Sequence, residues 1–495
     1  MRRLWLVSGL VLVLNLGLSC IGTAGAEEAQ GEAIPPPRPV PVMPVPEEYR
    51  PAGPAPGPTV QAAPVLPVPF GPSPSPADGF EGLGDNICST VAGGCTIPPD
   101  THGAVGLDDV GQVRFMEVLN TEVHIQDDTG GVVWGPMGID AFWGATVNPN
   151  LDGVFDPRVH YDPDAGGHWI SVACDENYSV NPDQSSVLIG VSVTSDPTGA
   201  WYRQRFDVDP TNVVWADYPN VGFNGKWVVV QVNLFTVASP TFDSSQIWVF
   251  DKSQLYGGNF TPAGDFRVTG QGGTQVPATT YDPLEPNLYL LQRWNGNSSG
   301  LGYLRLYRIT GSAGAPVLEW FNPSPPRFVV SNDPWEGSAP GSPAVDFAPQ
   351  AQDPDPSNCA NCLSPPCRIQ TNDDRIQNLV MRNGTLWAAQ TIFLPAGGAP
   401  TRSSVQWWQI ATDTTVLQRG RVDDSTGARF FGFPSIAVNK HDDVLLGYSS
   451  FTSPEYASAS YSFRYSFDSP NSMRDEHVFR SGDACYYKNF SSPSR

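Results

Sequence analysis

Four segments of this chain share one pattern: an apolar or aromatic residue near a proline, then a strand-like run that ends in Asp or Asn. They are Asp156-Pro157-Arg158-Val159-His160-Tyr161-Asp162, Tyr218-Pro219-Asn220-Val221-Gly222-Phe223-Asn224, Val276-Pro277-Ala278-Thr279-Thr280-Tyr281-Asp282 and Phe433-Pro434-Ser435-Ile436-Ala437-Val438-Asn439. Pro157, Pro219 and Pro277 recur at intervals of about 60 residues, and Pro434 follows far enough on to leave room for one divergent copy. One copy of such a unit cannot bury its own apolar face. Repeated copies must therefore stack on their neighbours.

The residues after each segment define the unit. A polar or Gly-containing turn leads into a second apolar run, as in His168-Trp169-Ile170-Ser171-Val172-Ala173 or Lys226-Trp227-Val228-Val229-Val230-Gln231. A third run follows, such as Val187-Leu188-Ile189-Gly190-Val191-Ser192-Val193, then a more polar fourth, such as Trp201-Tyr202-Arg203-Gln204-Arg205-Phe206. β-Branched and aromatic residues in short alternating or continuous apolar runs are strands. Four strands per repeat is the blade of a β-propeller. The divergent copy is expected at Arg375-Ile376-Gln377-Asn378-Leu379-Val380, and an earlier blade at His102-Gly103-Ala104-Val105-Gly106. The sequence thus predicts an all-β propeller of about six four-stranded blades, with a β-sandwich or a pair of sandwiches as the alternative. No stretch beyond the first 20 or so residues sustains a 3.6-residue apolar period, and prolines interrupt nearly every candidate helix, so a helical fold is set aside.

Upstream of the repeats, Arg2-Arg3, an apolar stretch from Leu4 to Leu18 and Ala24-Gly25-Ala26 read as a signal peptide cleaved after Ala26. The stretch is shorter than a bilayer requires, and no later segment is apolar enough to span one. Gly17-Leu18-Ser19-Cys20 raises lipidation at Cys20, but a lipobox carries Leu where Gly17 stands. Residues 27–77 are Pro-rich, dominated from Ile34 on by Pro, Ala, Val and Gly. They cannot bury a core, so they read as a disordered linker or semi-rigid stalk, a possible tether to the cell envelope. Residues 78–495 are assigned to the propeller. The expected setting is secreted or cell-envelope.

The formal charge of −22 argues against nucleic acid and anionic lipid as partners, because both need basic patches. Basic proteins and neutral glycans remain compatible. Of eight Cys, seven stay after cleavage: Cys88 and Cys95 bracket a short loop, Cys359, Cys362 and Cys367 cluster, and Cys174 and Cys485 stand apart. In an exported chain the first five are disulfide candidates, and the odd total implies a free thiol or a lost partner.

Pro98-Pro99-Asp100-Thr101-His102-Gly103-Ala104-Val105-Gly106, the segment Phe155 to Asp162, Ser195-Asp196-Pro197-Thr198-Gly199 with Trp201-Tyr202, and Ala216-Asp217-Tyr218-Pro219 together resemble a group of exported bacterial β-propeller proteins of sialidase-like fold. The resemblance runs from about Pro98 to the C-terminus. It implies the fold and an extracytoplasmic setting, but no established activity. In that group a turn like Ser481-Gly482-Asp483 continues through a Trp-Gly-Asp-Tyr motif, whereas this chain ends at Arg495. The resemblance therefore implies an incomplete last blade or a truncated product, unless an N-terminal strand closes the ring.

In a propeller the first strand of each blade lines the axis. Asp156, Arg158, Asp217, Tyr218 and Arg375 should converge at one channel mouth, joined by Asp100 and His102 from the first blade. Paired carboxyls there could act as acid and base on a glycoside, with Arg holding an acidic sugar and Tyr as an auxiliary nucleophile. The Ser-x-Asp-x-Gly-x-x-Trp turns and three Arg of sialidase-type enzymes have no clear copy. Buried Asp and Arg also pair simply to satisfy a channel rim. Asn148, Asn150 and Asp152, with Gly153, follow the opening of a Ca²⁺ loop, but Val159 stands where its bidentate Glu belongs; an Asx-rich turn explains the run equally. Trp201, Trp294, Trp407 and Trp408 could stack on sugars if exposed, although core packing is the commoner fate of Trp. Two functions follow: a binding or adhesion module for a protein or glycan ligand, or a carbohydrate-active hydrolase with its site at the channel mouth.

Overall fold

The computed structural model describes residues 71–84, 98–144, 153–177, 184–239, 241–282, 284–319, 328–340, 346–352 and 367–486. Cys20, Cys88, Cys95, Cys359, Cys362 and the Asn148, Asn150, Asp152 run lie outside them, as does the expected signal peptide.

The repeats form six antiparallel blades. Blade 1 contains β1 (His102–Leu107), β2 (Val113–Val118), β3 (Glu122–Gln126) and β4 (Val132–Gly138). Blade 2 contains β5 (Val154–Asp162), β6 (His168–Asn177), β7 (Gln184–Ser192) and β8 (Trp201–Asp207). Blade 3 contains β9 (Val214–Phe223), β10 (Trp227–Thr236), β11 (Phe242–Asp251) and β12 (Gly264–Thr269). Blade 4 has a divided first strand, β13 (Val276–Pro277) and β14 (Thr279–Thr280), then β15 (Leu288–Ser298), β16 (Leu301–Ser312), β17 (Ala315–Glu319) and β18 (Phe328–Ser331). A separate hairpin pairs β19 (Asp346–Pro349) with β20 (Arg368–Gln370). Blade 5 contains β21 (Ile376–Arg382), β22 (Thr385–Leu394), β23 (Arg402–Ala411) and β24 (Val416–Val422); blade 6 contains β25 (Arg429–Val438), β26 (Val444–Thr452), β27 (Glu455–Arg464) and β28 (His477–Arg480).

The first strands are arranged around a hub. β1 lies against β5, β5 against β9, β9 against β13, β13 against β21 and β21 against β25. After Pro277 the inner strand of blade 4 leaves its own sheet, and β14 runs parallel between β9 and β21. Gly222 permits this approach: a Cβ there would stand 2.6 Å from the Ala278 carbonyl oxygen.

The repeated residues each have a structural cause. The closing Asp or Asn caps the turn into the second strand: Asp162 accepts from Asp164 N, Asn224 from Lys226 N and Trp227 N, Asp282 from Leu284 N, and Asn439 from His441 N. Such Asx side chains mimic a turn of backbone. The residue before the proline sits at a bulge. Asp156, Tyr218 and Phe433 have φ of 52°, 56° and 53°, and the pairing slips at each of the three sites. A left-handed non-Gly residue ahead of proline is strained. Bulges of this kind re-aim side chains, here toward the axis.

Between neighbouring blades lie apolar layers. Val159, Trp169 and Trp143 join blades 1 and 2; Val230, Phe223 and Ile189 join 2 and 3; Trp227 and Tyr307 join 3 and 4; Leu291 and Trp408 join 4 and 5; Trp407 and Tyr448 join 5 and 6. Burying two such faces per blade is what each copy lacks alone. Trp294, Trp407 and Trp408 are buried, and Trp201 packs on the core between blades 1 and 2. These Trp therefore build the core and offer no platform for sugars.

Blades 6 and 1 are joined by the segment 71–84. Pro72 bridges Asp475 in parallel, Ser73 Oγ donates to Asp475 O at 2.6 Å, and Phe463 N donates to Ser73 Oγ at 2.9 Å. Further on, Gln126 Nε2 donates to Glu81 O at 2.9 Å, Leu83 N donates to Glu117 Oε2 at 2.7 Å, and Phe80 packs edge-on against Phe115. Residues 71–75, read as the end of the linker, thus belong to the folded body. Backbone donors on blade 6 gave them partners that proline-rich composition conceals.

Cys174 is free and buried on β6, which accounts for one unpaired thiol. Cys367 and Cys485 are buried together and each is disulfide-bonded, so Cys485 does not stand apart as the sequence suggested. Among the described residues no helix is long and apolar enough to cross a membrane, and no group of three or more His, Cys, Asp or Glu is arranged to hold a metal ion.

Candidate site at the channel mouth

All seven residues expected at the channel mouth are brought together, each placed by its blade's first strand or the residues just before it. On β5, Val159 and Tyr161 point into the core between blades 1 and 2, so Arg158 and His160 alternate toward the axis. His102 on β1 meets them: its ring centroid lies 5.2 Å from that of His160, and Val159 N donates to its Nδ1 at 3.3 Å. That contact leaves neutral His102 its proton on Nε2.

Asp156 is the centre of the cluster. Its carboxyl lies close enough to those of Asp100 and Asp217 to act on both. Its Oδ2 accepts from Tyr218 N at 2.9 Å. Burial, and then the neighbouring Asp156, push the carboxyls of Asp100 and Asp217 well above the usual carboxylate range. Like charges held this close disfavour one another's ionised form, which adds to the effect of burial on Asp100 and Asp217. One oxygen of Asp217, Oδ1, is buried without a hydrogen-bond partner.

The cations are held differently from one another. Arg375 forms a two-pronged pair with Asp373, Nε to Oδ1 at 2.8 Å and Nη2 to Oδ2 at 2.7 Å. Although burial opposes charge on both groups, the pairing wins: Asp373 lies below and Arg375 above its usual range. Arg158 has no such partner. Among the described residues its one hydrogen bond runs from Nε to Pro219 O at 3.3 Å, and no carboxylate is within ion-pair distance. Both guanidiniums pack on the Tyr218 ring, at 4.9 Å for Arg158 and 4.7 Å for Arg375, while the phenol donates to Gln377 Oε1 at 3.2 Å. Burial and the Arg158 charge hold His160 down at about 4 and His102 well below the usual imidazole range. Both rings are neutral near neutrality. His160, which in the sequence looks like a packed or rim residue, faces the axis and approaches Thr279 Oγ1 at 3.5 Å.

Asp100, His102, Arg158, His160 and Tyr218 are partly exposed, whereas Asp156, Asp217 and Arg375 are buried. Sequence reasoning missed Asn120, in the turn after β2, and Gln377, at the bulge of β21. Neither lies in the proline-led pattern. Tyr486 was missed too: burial and Asp100 raise its phenol to about 12.

The sequence matches no protein-family model and no curated protein. Among solved structures the chain is similar to a Synechocystis apocarotenoid oxygenase, at TM-score 0.40 and 10% identity over 77% of this chain and 72% of that one. It is also similar to an α-L-arabinofuranosidase from Lactobacillus brevis (TM-score 0.32, 10% identity, 78% and 98% covered) and to an exo-1,5-α-L-arabinanase from a bovine ruminal metagenomic library (0.30, 10%, 77% and 94%). Scores at this level assign no chemistry to the chain, so function is argued from the side chains above.

Proposed function

We propose that this protein is an exported propeller, secreted or tethered at the cell envelope through its Pro-rich N-terminal segment, that binds a polar ligand of the glycan class at the mouth of its axial channel. One observation carries the reading: among the described residues no carboxylate lies within ion-pair distance of the partly exposed Arg158 guanidinium. Around it stand neutral imidazoles, a phenol and the raised carboxyls of Asp100 and Asp217. This mixture of donors and acceptors beside a guanidinium suits hydroxyl-rich ligands. The signal-like N-terminus and the disulfide-bonded Cys367 and Cys485 support an oxidising compartment.

Hydrolysis is the second reading, favoured by the raised carboxyls of Asp100 and Asp217, shifted in the direction a general acid needs. A glycan array probed with the wild type and with Arg158→Ala separates the outcomes. Retained glycans that the variant loses by tenfold or more support the binding site. Identical array patterns for the two proteins overturn it. Bond cleavage by the wild type that Asp217→Asn abolishes would establish the hydrolase instead.

A further inference from the structure

Asn120 joins the two strained aspartates of the mouth. Its Nδ2 donates to Asp100 Oδ2 at 2.6 Å and to Pro98 O at 2.9 Å, and its Oδ1 accepts the Asp156 N–H at 2.7 Å. Its own backbone N–H donates to Pro99 O at 2.9 Å, so all of these bonds end on one short turn between β2 and β3. Asp100 and Asp156 are both left-handed, with φ of 47° and 52°. Such conformations are strained and persist only where surrounding bonds over-determine them. Asn120 supplies a bond to each, one to a side chain and one to a backbone.

We propose that Asn120 is the positioning residue of the axial site: by bonding the Asp100 carboxyl and the Asp156 N–H at once, it fixes the turn before blade 1 against the bulge of blade 2 and holds the two aspartates beside each other. An amide is the side chain that fits. It donates on one side to a carboxyl and accepts on the other from a peptide N–H, which neither a carboxylate nor a hydrocarbon of that size does. Asn120 does not touch Asp217, and this separates positioning from direct hydrogen bonding. The proposal concerns the same mouth as the binding reading, but its readout is proton occupancy, so it stands or falls whether or not a glycan is found.

The test is the carboxyl titration of Asp217, followed by ¹³C NMR in the full chain with Asn120→Ala and Asn120→Asp. In Asn120→Ala, Asp156 is released from blade 1, and Asp217 falls back toward the ordinary carboxylate range. Asn120→Asp keeps the acceptor for Asp156 N but places a further carboxyl against Asp100. There Asp217 stays raised while Asp100 moves higher still. If Asn120→Ala does not fold, the Asp variant alone decides: Asp100 unmoved in it overturns the proposal. In a folded Asn120→Ala protein, an Asp217 titration identical to wild type overturns it as well, whatever the loss in stability.

Discussion

The backbone N–H of Tyr218 on blade 3 donates to the Asp156 carboxylate on blade 2 at 2.9 Å, across 62 residues of sequence. Both residues are left-handed ahead of a proline, so one strained bulge is held by the side chain of the previous one. Asp156→Ala removes the acceptor and leaves a part-buried donor unmet, which costs about 1–3 kcal/mol. Asp156→Asn retains an amide oxygen and should cost less. Urea unfolding of the two variants measures the difference, and equal losses would show that the bond contributes nothing.

Stability should depend on pH in two opposed ways. Asp100 and Asp217 are raised in the folded chain above an unfolded value of about 3.9, so their contribution is complete below that value and is lost as pH climbs through the folded one. His160 is depressed to about 4 from about 6.5, so its contribution is complete above about 6.5 and is lost as pH falls toward 4. Asp217→Asn should flatten the alkaline limb of a melting-temperature profile, and His160→Asn the acid limb. A profile unchanged by either substitution would contradict both assignments.

The join between blades 6 and 1 should be the ring's weakest seam. It rests on a strap whose anchors are Ser73 and Leu83, the latter 1% exposed. Leu83→Ala should destabilise by about 2–5 kcal/mol, as other buried Leu truncations do. Limited proteolysis should then cut first within the exposed stretch 74–80. First cleavage in a blade interior would show that the strap is not the seam.

What the sequence disclosed follows from periodicity. Proline, an apolar strand and a capping Asp or Asn recur because every blade solves the same hub geometry, and that made the six blades and the clustering of polar residues on their first strands legible. The left-handed turn at Asp156, Tyr218 and Phe433 was not legible, since proline ordinarily pushes its predecessor to extended conformations. Asn120 was hidden because one amide in a turn has no pattern until the fold sets Asp100 and Asp156 beside it. The strap at 71–75 was read as linker because prolines without alternation look the same whether or not a neighbouring strand offers partners. The Trp pair at 407 and 408 shows why aromatic content alone is a poor guide to sugar binding: both rings fill the layers on either side of blade 5.

Cys174 is wholly buried, and burial, with the carboxylates of Asp156 and Asp217, raises its thiol well above the usual range. It should resist a thiol reagent in the native protein and react in denaturant. Rapid native labelling confined to Cys174 would show that β6 opens locally.

The central claim is that the first strands of blades 1, 2 and 3, with the residues just before them, bring Asp100, Asp156 and Asp217 into one carboxyl cluster that raises Asp100 and Asp217. Titration of ¹³C-labelled aspartate carboxyls tests it most directly, with Asp100 and Asp217 assigned by Asn substitution. The account predicts that both titrate well above the usual value of about 3.9 and move back toward it in Asp156→Asn. Ordinary titration of every aspartate in the wild type would contradict it.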